Sequence, residues 1–487
     1  MENSKLVTLL KTFSKDEIKE FRRFIDSPFF NKEGKYILRF YDEVKKYYPY
    51  FENKNIGREI IFRKLYPGKS YSDVTMRKLT STLQKLAEEY LNYIYYSSSG
   101  SIKQIINLSM LRTRRVSNLF ELKAGEIENM FDSQDIKIDI EYFRNRFRAE
   151  IEKINFYLDY HSQVKKLQQS LQNIQEFIVY DSLINILDIA YNVHIGLSTM
   201  YSGKANIVLH YLENLNLEGV SDILKKSTPH SYPVFELFYL RYLSIINFDE
   251  ATYYKYKKAA MKSLDQYNRE NQFTILVSLQ NFCIKKFVSG DKKFTGELHE
   301  IHKIMLKKNL LLIEKEGFMS LQSFRNFVLT AVAVKKYAWM ENFIKKYEQK
   351  IIPDQRESAY AWAKATADYE KGNLEEALSR LQKVKNHHFL TKHDIKILTL
   401  KIFFEMKDYE TAIAFADSYR HMVENDRTYS DLHRKSHTCF AVFYTKLVKL
   451  IANNKKSDLD FLKNEVSKSV TNSKEWLLKK IDGAKNA

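Results

Sequence analysis

The tripeptide Gly68-Lys69-Ser70 contains the residue types that end a phosphate-binding loop. In such a loop, backbone amides cradle phosphates between a strand and a helix. The loop also needs an earlier glycine, and the residue at that place is Arg63, inside an amphipathic helical pattern. We therefore interpret the tripeptide as a turn between helices and predict no cofactor.

His433 and His437 lie one helical turn apart, a spacing that can place two imidazoles on one zinc ion. Asp431 and Cys439 are close by in sequence, but no further ligand has a supporting spacing. Closed zinc sites need three or four ligands, so we predict no metal site. Without a serine elbow, paired catalytic carboxylates or a Cys/His signature, we also predict no catalytic residue and no enzyme activity.

Residues 57–91 have the pattern of two helices joined by a short turn, the second long and rich in basic and hydroxyl residues. In a helix-turn-helix or winged-helix module, such a second helix enters the DNA major groove. The stretch loosely resembles bacterial activators that join a winged helix to tetratricopeptide repeats, although no β-hairpin wing follows Ile94. A plain helical hairpin with a solvated outer face explains the same residues, so both interpretations stay open. The candidate nucleic-acid contacts are Thr75, Arg77, Lys78, Ser81 and Lys85.

The stretch Tyr253–Lys258 alternates tyrosines with lysines, the combination of stacking and charge that holds single-stranded nucleic acid. Tyrosine is abundant throughout the chain, with 33 copies, and stacked helices bury aromatic residues at the same spacing. Burial in a helix stack is thus the alternative explanation.

The elements that position these residues are predicted to be helices. Only 13 glycines and 6 prolines occur in 487 residues, too few for the turns of a hairpin-rich β architecture. Two cysteines distant in sequence exclude a disulfide framework and suit a reducing compartment. The longest apolar stretch, 182–201, contains Asp188 and His194, so no membrane span is predicted, and we expect a cytoplasmic protein.

The positive charge of the chain is concentrated in one region. The formal net charge is +18, and residues 251–350 hold 19 basic and 9 acidic residues, a net of +10. This region is able to attract phosphate or an acidic protein partner. A lysine-rich solvated face is the alternative.

A pattern recurs in the last third of the chain. One copy runs from Ala361 to Leu378, the next from Leu400 to Ile413, and a weaker copy begins at Lys335. The pattern resembles the tetratricopeptide repeat, a helical hairpin of about 34 residues. The residues that define it are Ala365, Tyr369, Gly372, Ala377, Phe404 and Ala412.

These observations predict an all-α chain, a TPR-like α-solenoid preceded by a helical module that resembles a helix-turn-helix. The predicted divisions are an N-terminal module at 1–96, a linker at 97–101, degenerate helical repeats at 102–321, TPR-like repeats at 322–423 and capping helices at 424–487.

The whole chain also resembles a family of uncharacterised bacterial all-helical proteins. The resemblance supports the predicted fold and implies no activity. It rests on the stretches 21–31, 47–49, 62–69, 71–79 and 475–477.

We expect a non-enzymatic scaffold that binds a protein or peptide segment in a helical-repeat groove, with Lys364 and Lys371 as candidate groove contacts. An acidic partner would suit the basic region 251–350. The alternative expectation is a nucleic-acid-binding regulator that uses residues 57–91.

Overall fold

A computed structural model describes residues 4–51, 56–133, 137–159, 163–199, 206–289, 291–312, 317–384 and 389–486. The structure is 81% helical, and its described residues contain no β-strand, so the prediction of an all-α fold is confirmed.

Twelve α-helices lie in the described residues up to 247, and twelve more follow. The first twelve are α1 (Lys5–Leu10), α2 (Lys15–Asp26), α3 (Lys35–Val44), α4 (Arg58–Leu65), α5 (Asp73–Ser98), α6 (Gly100–Thr113), α7 (Ser117–Phe131), α8 (Ile140–Asp159), α9 (Val164–Thr199), α10 (Ile207–Glu213), α11 (Leu217–Ser227) and α12 (Tyr232–Asn247). The others are α13 (Glu250–Ser263), α14 (Arg269–Val288), α15 (Lys293–Lys307), α16 (Leu321–Ala333), α17 (Tyr337–Tyr347), α18 (Pro353–Glu370), α19 (Leu374–Gln382), α20 (Phe389–Glu405), α21 (Tyr409–Asn425), α22 (Asp431–Ala452), α23 (Leu459–Lys468) and α24 (Lys474–Asn486).

The chain forms two compact units. The first comprises Met1–Gln134 and Arg148–Leu171, and the second Asp135–Phe147 and Gln172–Ala487. The predicted linker 97–101 falls within the first unit, where only Ser99 lies between α5 and α6.

Helix α2 shows how the sequence determines local structure in the first unit. Ser14 and Glu17 form a reciprocal capping box, in which the Ser14 amide donates to the Glu17 carboxylate at 2.6 Å. The apolar face of the helix is buried in a core that includes α1, α3, α4 and α5. Helix α5 contacts α1, α2, α3 and α4 and so forms the centre of this core.

In the second unit, α16 with α17, α18 with α19, α20 with α21 and α22 with α23 form helical hairpins that share one kind of turn. The turn residues Lys335, Gly372, Lys407 and Asn454 all adopt a left-handed backbone, with φ between 54° and 85°. In each turn the next amide bonds back to a carbonyl five residues earlier, at 2.9–3.0 Å. This is the Schellman arrangement, which ends a helix by satisfying its last carbonyl groups.

In the first three hairpins, a buried side chain occupies the same position near the start of the second helix. Ala377 of α19 and Ala412 of α21 are fully buried, and Met340 occupies the matching position in α17, also fully buried. Alanine lets the two helices approach closely, whereas Met340 places a longer, flexible side chain at the same position. Ala365 of α18 is fully buried as well.

The first helices of these hairpins also contact one another, α16 against α18 and α18 against α20. Each first helix additionally packs against the second helix of the preceding hairpin, as α18 does on α17 and α20 on α19. Exposed positions on α16, α18 and α20 therefore lie on adjacent helices.

Candidate interaction sites

The five candidate nucleic-acid contacts all lie on α5, four of them on its exposed face. Arg77, Lys78, Ser81 and Lys85 are solvent-exposed, and their spacing places them along one side of the helix. Thr75 is half-buried and belongs to the cap, where its hydroxyl donates to the Ser72 hydroxyl at 3.0 Å.

Acidic residues offset part of the charge on this face. The Arg77 guanidinium pairs with Asp73 at 2.7 Å, and the Lys78 ammonium lies 3.5 Å from Glu33. Both pairs are exposed and contribute little to stability. They do lower the positive potential that a phosphate backbone would meet.

The elements around α5 differ from those of a winged helix. Seven residues separate α4 from α5, whereas a helix-turn-helix usually has a turn of three or four. Helix α5 continues to Ser98 and α6 begins at Gly100, so helix occupies the place of a β-hairpin wing.

A cleft of about 640 Å³ borders the exposed face of α5. The sequence did not point to it, because the segment before α3 and the middle of α5 meet only in the fold. Phe29, on its wall, is 80% exposed. Its lining residues are Pro28, Phe29, Phe30, Asn31, Lys32, Glu33, Thr82, Lys85, Leu86 and Glu89.

The tyrosines of the stretch Tyr253–Lys258 mostly face the core. Tyr253 and Tyr256 are buried, and only Tyr254 is substantially exposed, at 40%. The structure therefore favours the burial alternative over a stacking platform, because α13 uses two of its three tyrosines for packing.

The candidate groove lysines meet on a single carboxylate. Lys364 and Lys371 of α18 bind the two oxygens of Glu341 on α17, at 2.7 and 2.9 Å. The two lysines hold the pKa of Glu341 below its ordinary value against the opposing effect of burial. Both lysines therefore connect neighbouring hairpins in this structure.

A different set of polar residues lies on the first helices of these hairpins. Arg325 of α16 forms a bidentate pair with Asp394 of α20, with Nη2 2.8 Å from Oδ1. Because α18 lies between those helices, the pair crosses over α18. Both side chains are only partly exposed.

Lys401 lies seven residues after Asp394, on the same side of α20. Its ammonium has no ion-pair partner within 4 Å among the described residues, and it lies 5.8 Å from the centre of the Trp476 ring. Burial lowers the pKa of Lys401 to about 8, against the opposing charges of Glu370 and Asp394.

Aromatic and charged residues surround Lys401. The Trp476 indole donates to the Tyr369 hydroxyl at 3.0 Å, and that hydroxyl donates to Glu405 at 3.2 Å. Lys480 of α24 also binds Glu405, at 2.6 Å. Among these charged groups, Lys401 alone lacks a direct partner.

A chain of histidines lies deeper in the second unit. His437 Nδ1 is 2.6 Å from the Tyr419 hydroxyl, which is 3.1 Å from His393 Nδ1. With Asn472 donating to His437 Nε2, the His437 Nδ1–H donates to Tyr419 and Tyr419 donates to His393. His393 Nε2 then faces Asp426 at 3.9 Å.

Burial lowers the pKa of these imidazoles, to about 4 for His393 and well below the ordinary value for His437. His433, whose ring stacks on Tyr429, also has its pKa lowered to about 4 by burial. The sequence identified His433 and His437 as a pair but missed His393 and Tyr419, which lie on other helices.

No family model, curated protein or solved structure matches this chain. The described part of the chain contains no group of three His, Cys, Asp or Glu side chains arranged to hold a metal ion. None of its helices is long and apolar enough to cross a membrane.

Proposed function

We propose that this protein is a non-enzymatic scaffold that binds a partner segment on the first helices of its C-terminal hairpins. In this proposal the hairpins from α16 onward are TPR-like repeats that stack into a solenoid, with α16, α18 and α20 lining its concave side. Their shared Schellman turns and the contacts between first helices support that arrangement.

Lys401 carries the proposal. A partly buried ammonium without a direct counter-ion is electrostatically costly, and an incoming carboxylate would relieve that cost. Trp476, whose indole donates to the Tyr369 hydroxyl, supplies aromatic surface beside it, the kind of residue that anchors binding interfaces. The partner favoured by this site is a peptide segment with an acidic residue next to an apolar one.

Selection from a displayed random-peptide library on the full-length protein tests this proposal. We expect enriched peptides to contain Asp or Glu, and Lys401→Met to weaken their binding by roughly tenfold or more, since hydrogen bonds to charged groups contribute about 1.5–3 kcal/mol. Lys345→Met, which removes an exposed lysine of α17, is the matched control and should leave binding unchanged. No enrichment, or equal binding by both variants, would contradict the proposal.

A second candidate function is nucleic-acid binding through α5. The observation in its favour is the alignment of Arg77, Lys78, Ser81 and Lys85 on one exposed helix face. The two ion pairs with acidic residues and the absence of a wing in residues 95–113 make it the weaker candidate.

Binding to duplex DNA at low salt measures this second function directly. Arg77→Ala combined with Lys78→Ala should weaken binding and reduce its salt dependence by about two phosphate contacts. Lys15→Ala with Lys35→Ala removes the same charge from exposed positions of α2 and α3 and serves as the control. If the unaltered protein fails to bind DNA at low salt, this function is ruled out.

A further inference from the structure

Two lysines of the basic region share one aromatic ring. The ammonium groups of Lys285 and Lys286, neighbours near the end of α14, each lie 4.5 Å from the centre of the Phe248 ring. The two nitrogens are therefore separated by no more than twice that distance. Lys286 also lies 5.6 Å from the Phe282 ring, so its charge is surrounded by apolar surface.

Phe248 is held firmly in place. It ends α12 in a left-handed conformation, with φ 53°, and Asp249 directly after it caps α13 by accepting from the Thr252 amide at 2.8 Å. Its ring lies 5.4 Å from that of Phe282. The Phe248 ring is therefore a fixed surface beside the ammonium groups of Lys285 and Lys286.

No carboxylate compensates these two charges. Neither Lys285 nor Lys286 has an ion-pair partner within 4 Å among the described residues. Burial lowers the pKa of Lys285, and no acidic group opposes it.

The nearby acidic residues are occupied by other cations. Glu250 pairs with Lys293, and Glu297 pairs with Lys257. Lys285 and Lys286 thus take no part in these ion pairs.

Two ammonium groups therefore lie beside one aromatic ring without an ion-pair partner among the described residues. Like charges in a partly desolvated place repel each other, and a bound anion would reverse that cost.

We propose that Lys285 and Lys286 form a binding site for a phosphate group carried by a small molecule. Ammonium groups bind phosphate as point charges. The rings of Phe248 and Phe282 border the ammonium groups, so the two charges lie close enough together for a single phosphate group to bind both.

Titration of the full-length protein with inorganic phosphate and pyrophosphate, at constant ionic strength with chloride as reference, tests this site. We expect saturable binding that Lys285→Gln with Lys286→Gln weakens by roughly tenfold or more. Lys285→Arg with Lys286→Arg keeps the charge and should retain binding.

The control Lys255→Gln with Lys258→Gln removes the same charge from exposed positions of α13 and should bind like the unaltered protein. Far-ultraviolet circular dichroism checks that each variant is folded. Absence of phosphate binding, or equal weakening by the control, would overturn the proposal. Binding of a single-stranded oligonucleotide without binding of either phosphate probe would also overturn it, because the ligand would then be a polymer.

Discussion

Acidification from pH 7 to pH 5 is expected to destabilise the second unit steeply, because a cluster of three histidines is held there in the neutral form. His302 of α15, fully buried and with its pKa lowered to about 3, adds to the effect. In the unfolded chain an imidazole has a pKa of about 6.5. In the folded protein the pKa is lowered to about 4 for His393 and His433, and well below the ordinary value for His437.

The direction follows from proton linkage. Above the unfolded pKa all three imidazoles are neutral in both states, and their contribution to stability is fully present. As the pH falls from about 6.5 toward the pKa values of the folded state, the unfolded chain binds protons that the folded protein does not bind. Each histidine then costs up to about 1.4 kcal/mol per pH unit.

The charged groups that face the cluster act in both directions. The carboxylates of Asp394 and Asp426 favour the protonated imidazole of His433, while Arg325 disfavours it. Burial outweighs the carboxylates, so the pKa of His433 stays low. The acid sensitivity is therefore expected despite two nearby acidic residues.

Urea unfolding followed by tryptophan fluorescence measures this effect. All three tryptophans, Trp339, Trp362 and Trp476, belong to the second unit, so the signal reports on that unit alone. His437→Gln should reduce the dependence of the unfolding free energy on pH between 5 and 7. His210→Gln, at an exposed position of α10, should not. An unchanged pH dependence in His437→Gln would show that the cluster does not control acid stability.

Much of the helical architecture follows from local rules in the sequence. Ser14 and Glu17 determine the start of α2, because a capping box satisfies the first amides of a helix within four residues. Gly372, one of the residues that define the repeat, forms the turn between α18 and α19, where a left-handed backbone favours glycine. Signals of this kind act over one helical turn and can be read without knowledge of the fold.

The candidate sites depend on contacts between residues far apart in sequence, which local sequence patterns do not predict. Arg325 and Asp394 are 69 residues apart, and they meet only because α18 brings α16 and α20 to its two sides. Lys364 and Lys371 were predicted as groove contacts from their place on α18, but the sequence did not show that Glu341 binds both. Lys401 carried no signal in the sequence, since lysines are common on this chain and its missing partner is a property of the fold.

The apolar stretch 182–201 shows both what the sequence reveals locally and what depends on the fold. Asp188 argued against a membrane span, because it interrupts the apolar run. Its role in the fold depends on Arg241, 53 residues further on, which no local pattern connects to it.

Removing the Asp188 carboxylate is expected to give the largest loss of stability in the second unit. Arg241 is almost completely buried at 2% exposure, and Asp188 is its only ion-pair partner among the described residues. The guanidinium also donates to Ser278 at 2.6 Å and stacks 4.1 Å from the centre of the Tyr191 ring. It thereby connects α9, α12 and α14.

Asp188→Ala leaves the buried guanidinium without a counter-charge, which typically costs about 3–5 kcal/mol. We expect a value near the lower end, since the Asp188 side chain is 30% exposed and water can reach the vacated place. Glu20→Ala is the matched control, because it breaks the exposed pair with Arg23 and should cost less than about 1 kcal/mol by circular dichroism.

The double variant Asp188→Ala with Arg241→Met separates the charge from the packing. Replacing a buried ion pair with apolar side chains is often close to neutral, so the double variant should recover much of the stability that Asp188→Ala loses. Tryptophan fluorescence in urea compares both variants with the unaltered protein on the same unit. If the double variant is less stable than Asp188→Ala, then stacking and hydrogen bonding of Arg241, rather than its compensated charge, hold the three helices together.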